Sequence, residues 1–479
     1  MNPGRLVIPA LRARSDGSFT HEAETIRAAL DVGAGGFIIF GGNVDSVGTL
    51  TAELVRRAGR PLLLASDLER GAGQQVEGLT ELPPPGALAW LDDPDVIRWA
   101  GALTAAEARS VGINWVFAPV ADLDVLPTNP IVQTRAFGAD PLAVAACVRG
   151  WVEGCETTGA LACAKHYPGH GRTAIDSHVA LPSVAEAKAT LRDEDERPFA
   201  EAVAAGVTSV MTAHVAYPAL DPSGRPATLS APILARLRGG LCFDGIIVTD
   251  ALIMEGALSG QSEAAAAVTA LAAGVDVLLY PSDAALVCAV VREAAGSGAL
   301  PPERLADAER RYEVALARAT RAPGRVPAGP YESAGHLADA LVDRGLIRGL
   351  FRGLNAPLEL VVVDDDLGGP YAPSPSDYLA KWLGDRGLSG TGGARIVLVF
   401  AEPRAWKGRG GLGPSAQEHL ASEAPRADLI VLFGHPRLAE EIPGARPILL
   451  AWHRQRLMQE AVARWLGART GRRPERREQ

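Results

Sequence analysis

Disulfide chemistry has little to work with in this sequence. Its five cysteines (Cys147, Cys155, Cys163, Cys242 and Cys288) are odd in number and form no CxxC pair. That pattern suits reduced, mostly buried thiols and a cytoplasmic chain. A basic excess is missing too. The net charge of −9 argues against a general nucleic-acid binder, whose phosphate contacts need a basic face. The opening MNPGRLVIPALRAR lacks the apolar core of a secretory signal. The most apolar long window, Ala264 to Tyr280, is interrupted by Gly274 and Asp276. It reads as a helix running into a strand, and no membrane partner is expected. HExxH does not occur, and neither does a repeat at a solenoid period.

What is present is a globular balance, with 47% hydrophobic and 22% charged residues, enough to bury sizeable cores. At 479 residues two domains are expected. Short apolar runs recur between helical patterns: GFIIFGG (36–42), PLLLAS (61–66), INWVFAPV (113–120), ALACAK (160–165), TSVMTAH (208–214), GIIVTD (245–250) and VDVLLY (275–280). Near-continuous apolar strands suit a parallel sheet covered on both faces. The weaker RLVIPAL near the start makes eight. Pro198–Ala205 has a proline near its start and Gly206 just past its end, the usual asymmetry of a helix. The alternation predicts an α/β fold, a (β/α)₈ TIM-type barrel over residues 1–322, with a doubly wound sheet as the alternative. RAPGRVPAGP (321–330) reads as a linker. Beyond it LELVVVDD, RIVLVF, LIVLFG and PILLAW predict a smaller α/β domain over 333–468. The basic end of the chain, 469–479, is expected to be a disordered tail.

Barrel enzymes place their chemistry at the C-terminal ends of the strands. Just past the apolar runs stand Asp67, Glu69 and Arg70, then Asp122 and Asp124, then Lys165 and His166, then His214, and finally Asp250. Ionisable groups therefore gather at one rim. Asp250 ends IIVTD and precedes ALIM, a setting in which a carboxylate needs partners. Local sequence leaves it equally readable as a helix N-cap or as a catalytic carboxylate.

KHYPGHGRTAIDSH (165–178) holds three of the nine histidines. His166 and His170 are four apart, but Pro168 and Gly169 preclude a continuous helix that would present both to a metal. No metal and no cofactor is expected. Asp176 and His178 stand two apart, so in an extended loop the carboxylate can polarise the imidazole as a general acid/base. A solvated loop with a chance DxH is the plainer alternative. GRGGLG (408–413) matches GxGxxG, but AEPRAWK separates it from the preceding strand run and Pro414 follows. Dinucleotide binding needs a strand–turn–helix context, so this is read as a loop.

KHYPGHG followed by DSH resembles glycoside hydrolase family 3, in its β-N-acetylglucosaminidase branch. GFIIFGGN, SDLERGAG, FAPVADLD, NPIVQTRAFGADP, MTAHVAYPALD, PATLS and FDGIIVTDALIMEGA extend the resemblance, in the family's order, over about residues 30 to 285. The second domain is similar to the family's α/β sandwich domain in shortened form. The resemblance implies that Asp250 is the nucleophile, His178 the acid/base and Asp176 its dyad partner. It implies that Asp67, Arg135, Lys165 and His166 bind the sugar, with His214 lining the pocket. His170 is assigned to the shape of the same loop.

The implied activity is a retaining exo-β-N-acetylhexosaminidase acting through a covalent glycosyl-Asp250 intermediate. Its substrate is a small carbohydrate ending in GlcNAc, from peptidoglycan fragments or chitooligosaccharides. A phosphorylase releasing GlcNAc-1-phosphate, a β-glucosidase and a non-catalytic sugar-binding protein stand as alternatives. A neutral imidazole repels an anionic acceptor less than a carboxylate does, a difference on the order of several kcal/mol at ~4 Å and intermediate dielectric. Many members carry SDDL where this chain has Thr249-Asp250-Ala251-Leu252. The second acid is therefore absent, and other hydrogen bonds must support the nucleophile.

Overall fold

The computed structural model describes residues 2–174, 180–258, 260–351, 353–369 and 373–471. The basic tail expected over 469–479 lies, from 472 onward, outside the described residues. Two compact units divide the chain. The first comprises Met1–Pro85, Asp92–Leu126 and Arg135–Pro330, and the second Gly86–Leu91, Pro127–Thr134 and Tyr331–Gln479.

The first unit is a parallel barrel. Its strands are β1 (Val7–Ile8), β2 (Ala10–Arg12), β3 (Gly36–Phe40), β4 (Leu63–Ser66), β5 (Trp115–Val116), β6 (Leu161–Tyr167), β7 (Ser209–Thr212), β8 (Ile246–Thr249) and β9 (Leu278–Leu279). β2 to β8 pair in chain order. A parallel bridge, Val248↔Val277, carries the ladder towards β9. Val7↔Leu278 and Ile8↔Leu279 close the ring. β1 and β2 share one barrel position, interrupted at Pro9, which has no N–H to give the ladder. The strand interiors are buried throughout β4, β6, β7 and β8, as their apolar runs predict. Helices such as Pro94–Ser110, Pro141–Thr158 and Pro302–Ala319 cover the outside.

INWVFAPV yields only two regular strand residues, Trp115 and Val116. Pro119 interrupts the run, and pairing with β6 resumes at the Val120↔Lys165 bridge. The helix expected over Pro198–Ala205 spans Arg197–Ala204, and Gly206 follows at φ +83°.

The second unit has β10 (Leu346–Arg348), β11 (Leu354–Asn355), β12 (Leu358–Asp364), β13 (Ala394–Ala401), β14 (Leu429–Gly434), β15 (Ile448–Leu450) and β16 (Thr470–Gly471). Five strands form one sheet in the order β10-β15-β14-β13-β12, parallel except for β10. β13 ends at Ala401, and helix Pro414–Glu423 begins well after it. The glycines of GRGGLG thus lie in a loop rather than in a tight strand-to-helix turn. There Arg409 pairs with Asp365 at 2.8 Å.

Candidate active site

The strand ends of the barrel bring Asp67, Lys165, His166, His214 and Asp250 to one rim. Lys165 and His166 are adjacent on β6, and on a regular strand they would face opposite sides. Pairing between β6 and β7 shifts register between Ala164 and Tyr167, an irregularity that re-aims side chains. Both residues consequently reach the rim.

Lys165 Nζ donates to Asp67 Oδ1 at 2.7 Å and lies 2.7 Å from Glu69 Oε1. Arg135 closes a fork on Glu69, Nε to Oε2 at 2.9 Å and Nη2 to Oε1 at 2.8 Å. Burial alone would lower the Lys165 pKa, but Asp67 and Glu69 outweigh it and hold the ammonium above the ordinary lysine range. Burial likewise works to raise Glu69, and Arg135 and Lys165 overcome it, keeping the carboxyl well below the usual range. Arg135 is raised against its own burial, chiefly by Glu69. Asp67 is the open end of this chain of charges, its side chain 29% exposed against 3% for Lys165. A sugar hydroxyl can reach it.

Past β5, between the ends of β4 and β6, Asp122 is buried and holds two histidines. Its Oδ2 lies 2.7 Å from His166 Nδ1. Its Oδ1 accepts from the backbone N–H of His166 at 3.1 Å and of His170 at 2.6 Å. Burial raises the Asp122 carboxyl, and His166 and His170 overcome that, leaving it below the ordinary value. The far nitrogen of His166, Nε2, points at Asp250 Oδ2, 3.9 Å away. His170 packs edge-on against His166 with ring centroids 5.9 Å apart, and its Nδ1 lies 2.7 Å from Thr173 Oγ1. Burial lowers its pKa to about 4 despite Asp122, so it is neutral near pH 7.

Asp250 follows β8 directly. Its Oδ1 accepts from the Ala251 N–H at 2.7 Å, and the next helix starts only at Glu255. An N-cap would hold the N–H of the second or third helical residue, so the capping alternative does not describe this carboxylate. His214 is wholly buried, with Nε2 3.1 Å from the Ala251 carbonyl and Nδ1 2.8 Å from Thr228 Oγ1. Burial lowers its pKa, with the Asp250 charge pulling the other way.

The PGHG segment needs its glycines at two points. A Cβ on Gly171 would stand 1.9 Å from the Leu123 carbonyl oxygen, and Gly169 has φ +144° with Asp195 close by. Tyr217 anchors the turn by donating to the Gly169 carbonyl at 2.7 Å. Arg172 leads out of it, bound to Asp195 at 2.8 Å. Asp176 and His178 lie outside the described residues. Among the described residues no group of three or more His, Cys, Asp or Glu is arranged to hold a metal ion, and no helix is long and apolar enough to cross a membrane.

Glu69 and Asp122 are prominent here, although sequence reasoning marked them only as rim acids. Each stands just past an apolar run, as do the predicted residues, and that position was the available signal. Thr228, in PATLS, gave no sign of its contact with His214.

The N-terminal domain of glycosyl hydrolase family 3 matches residues 13–314. The chain belongs to this family. It is 39% identical over 269 residues to a β-hexosaminidase of Chromobacterium violaceum, covering 54% of this chain and 74% of that one. A β-N-acetylglucosaminidase/β-glucosidase of Cellulomonas fimi is 34% identical over 311 residues, 62% of this chain. The chain spans only 55% of the length of that relative. Among solved structures, a family 3 β-N-acetylglucosaminidase from a Paenibacillus species superposes with a TM-score of 0.83 at 26% identity, covering 98% of this chain and 96% of that one. The resemblance to the family's β-N-acetylglucosaminidase branch and the barrel followed by a smaller α/β domain both hold.

Proposed function

We propose that this family 3 glycoside hydrolase is a retaining exo-β-N-acetylhexosaminidase that removes terminal GlcNAc, with peptidoglycan fragments as its first substrate class and chitooligosaccharides next. The observation that carries the reading is the Asp250 carboxylate at the end of β8, 3.9 Å from His166, beside the Asp67–Lys165–Glu69–Arg135 chain. Similarity to β-hexosaminidases supports the choice of GlcNAc.

In the proposed reaction Asp67, Lys165, Arg135 and His166 hold the sugar hydroxyls, and Asp250 attacks the anomeric carbon. The carbon–oxygen bond to the leaving group breaks as that oxygen takes a proton from His178, which Asp176 orients. His178 then removes a proton from water, which opens the glycosyl-Asp250 ester and retains configuration. Asp67 and Glu69 pair with Lys165 and Arg135, while Asp122 and Asp250 stand beside His166, and a carboxylate at the reacting carbon favours the positive charge of an oxocarbenium-like transition state.

A slow fluorinated GlcNAc-type donor, followed by peptide mapping, tests the nucleophile: label on any residue other than Asp250 overturns the assignment. Turnover of aryl β-GlcNAc against aryl β-glucoside tests the sugar. Product analysis with and without phosphate tests the acceptor. GlcNAc-1-phosphate as the main product would replace hydrolysis with phosphorolysis.

A further inference from the structure

His214 stands apart from the sugar-gripping chain, yet it reaches the proposed nucleophile through one residue. Ala251 gives its N–H to Asp250 Oδ1 at 2.7 Å. The carbonyl of the same residue accepts from the Met254 N–H at 3.1 Å and faces His214 Nε2, also at 3.1 Å. The flanks of this turn are fixed elsewhere. Thr249 Oγ1 accepts from the Leu279 N–H at 2.9 Å, and the Leu252 N–H donates to the Leu279 carbonyl at 3.0 Å. Ala251 brings no polar side chain of its own to the carboxylate.

We infer that His214 is a positioning residue for the nucleophile: its Nε2–H holds Ala251, and the Ala251 N–H sets the plane of the Asp250 carboxylate. This rests on Asp250 being the nucleophile. A carbonyl oxygen can only accept, so Nε2 carries the proton and Nδ1 accepts from the Thr228 hydroxyl. Thr228 Oγ1 also lies 2.9 Å from Thr212 Oγ1 and 3.2 Å from the Ala213 carbonyl, so the Ala251 carbonyl fixes the tautomer, and β7 and the PATLS segment hold Thr228 against the other ring nitrogen. A neutral imidazole suits the task. It orients the carboxylate without placing a full positive charge beside it, which would stabilise the anion before attack.

The test compares wild type with His214→Phe, His214→Gln and Thr228→Val on an aryl β-GlcNAc, with thermal unfolding measured in parallel. His214→Phe is expected to lower kcat on the order of 10- to 100-fold with KM nearly unchanged, because a small misplacement of a reacting group costs rate rather than affinity. Labelling of Asp250 by the slow donor should slow by the same factor. His214→Gln keeps an N–H at similar reach and should recover much of the loss. Thr228→Val removes the hydroxyl that holds Nδ1 and should lower kcat several-fold, as expected for losing one buried hydrogen bond, on the order of 1 kcal/mol.

A raised KM at unchanged kcat, or a His214→Gln no better than a folded His214→Phe, overturns the inference. If His214→Phe does not fold, wild-type kcat in both His214→Gln and Thr228→Val overturns it. Failure of wild type to act on aryl β-GlcNAc, or label away from Asp250, overturns the nucleophile reading and this inference with it. Normal labelling of Asp250 alongside an unaffected His214→Phe overturns this inference alone.

Discussion

Asp122 holds His166 by ring and by backbone at once, 2.7 Å to Nδ1 and 3.1 Å from the main-chain N–H. The carboxylate is buried, so it dictates which nitrogen of His166 carries a proton. Asp122→Asn replaces an acceptor with a donor at Nδ1 and pushes that proton towards Nε2, the nitrogen facing Asp250. The expected outcome is a loss in kcat/KM on the order of tenfold or more, as when any buried orienting carboxylate is neutralised. A double-mutant cycle with His166→Asn checks the route: the two losses should be far from additive.

Glu69 is the buried centre of the sugar-gripping chain, contacting both Lys165 and Arg135. Glu69→Gln removes the charge that pairs with both Lys165 and Arg135. Breaking a buried ion pair on one side costs roughly 3 kcal/mol or more. Urea unfolding should show a loss of that order. KM should rise as well, since Lys165 would draw Asp67 more strongly once Glu69 is neutral.

His170 gives stability a pH dependence with a definite sign. Its folded pKa is lowered to about 4 from an ordinary 6.5. Between those values the unfolded chain binds a proton that the folded chain refuses, so stability falls as pH drops from 6.5 towards 4. The full contribution is roughly 3 kcal/mol, and above pH 6.5 it vanishes. His170→Asn should flatten the dependence of unfolding free energy on pH across that window, as read by urea titrations at pH 4.5 and 7.

Gly171→Ala tests the close approach of the PGHG turn to Leu123. The added Cβ would meet the Leu123 carbonyl oxygen at 1.9 Å, so the backbone must move. Overpacking of this kind costs about 1–3 kcal/mol. Thermal unfolding should register that loss. Activity should fall further than stability, because His166 and His170 share the turn.

The barrel was legible because its strands are buried on both faces and read as continuous apolar runs. The rim position of Asp67, Lys165, His166, His214 and Asp250 followed from the same runs. What sequence could not supply was partnership across strands. Glu69 meets Arg135 sixty-six residues away, and Thr228 meets His214 only because the chain returns over β7. Lys165 and His166 share the rim through a register shift that no local pattern announces. The Asp250 side chain could be read as a cap until the first helical turn was found four residues beyond where capping requires it. GRGGLG was set aside correctly on context alone, since the strand before it ends at Ala401.

β9 supplies both anchors that flank Asp250, Leu279 to Thr249 and Leu279 to Leu252. At its other end Asp276 bonds Ile247 in β8 at 2.9 Å and is clasped by Arg238 and Arg304. The carboxylate at the heart of the proposed reaction therefore sits one strand from the seam of the ring, beside the strand that the chain adds last. A ring left open at that seam could keep every other rim residue in place and still have nothing to aim at the anomeric carbon. The strand that closes the barrel is thus also the strand that braces its nucleophile.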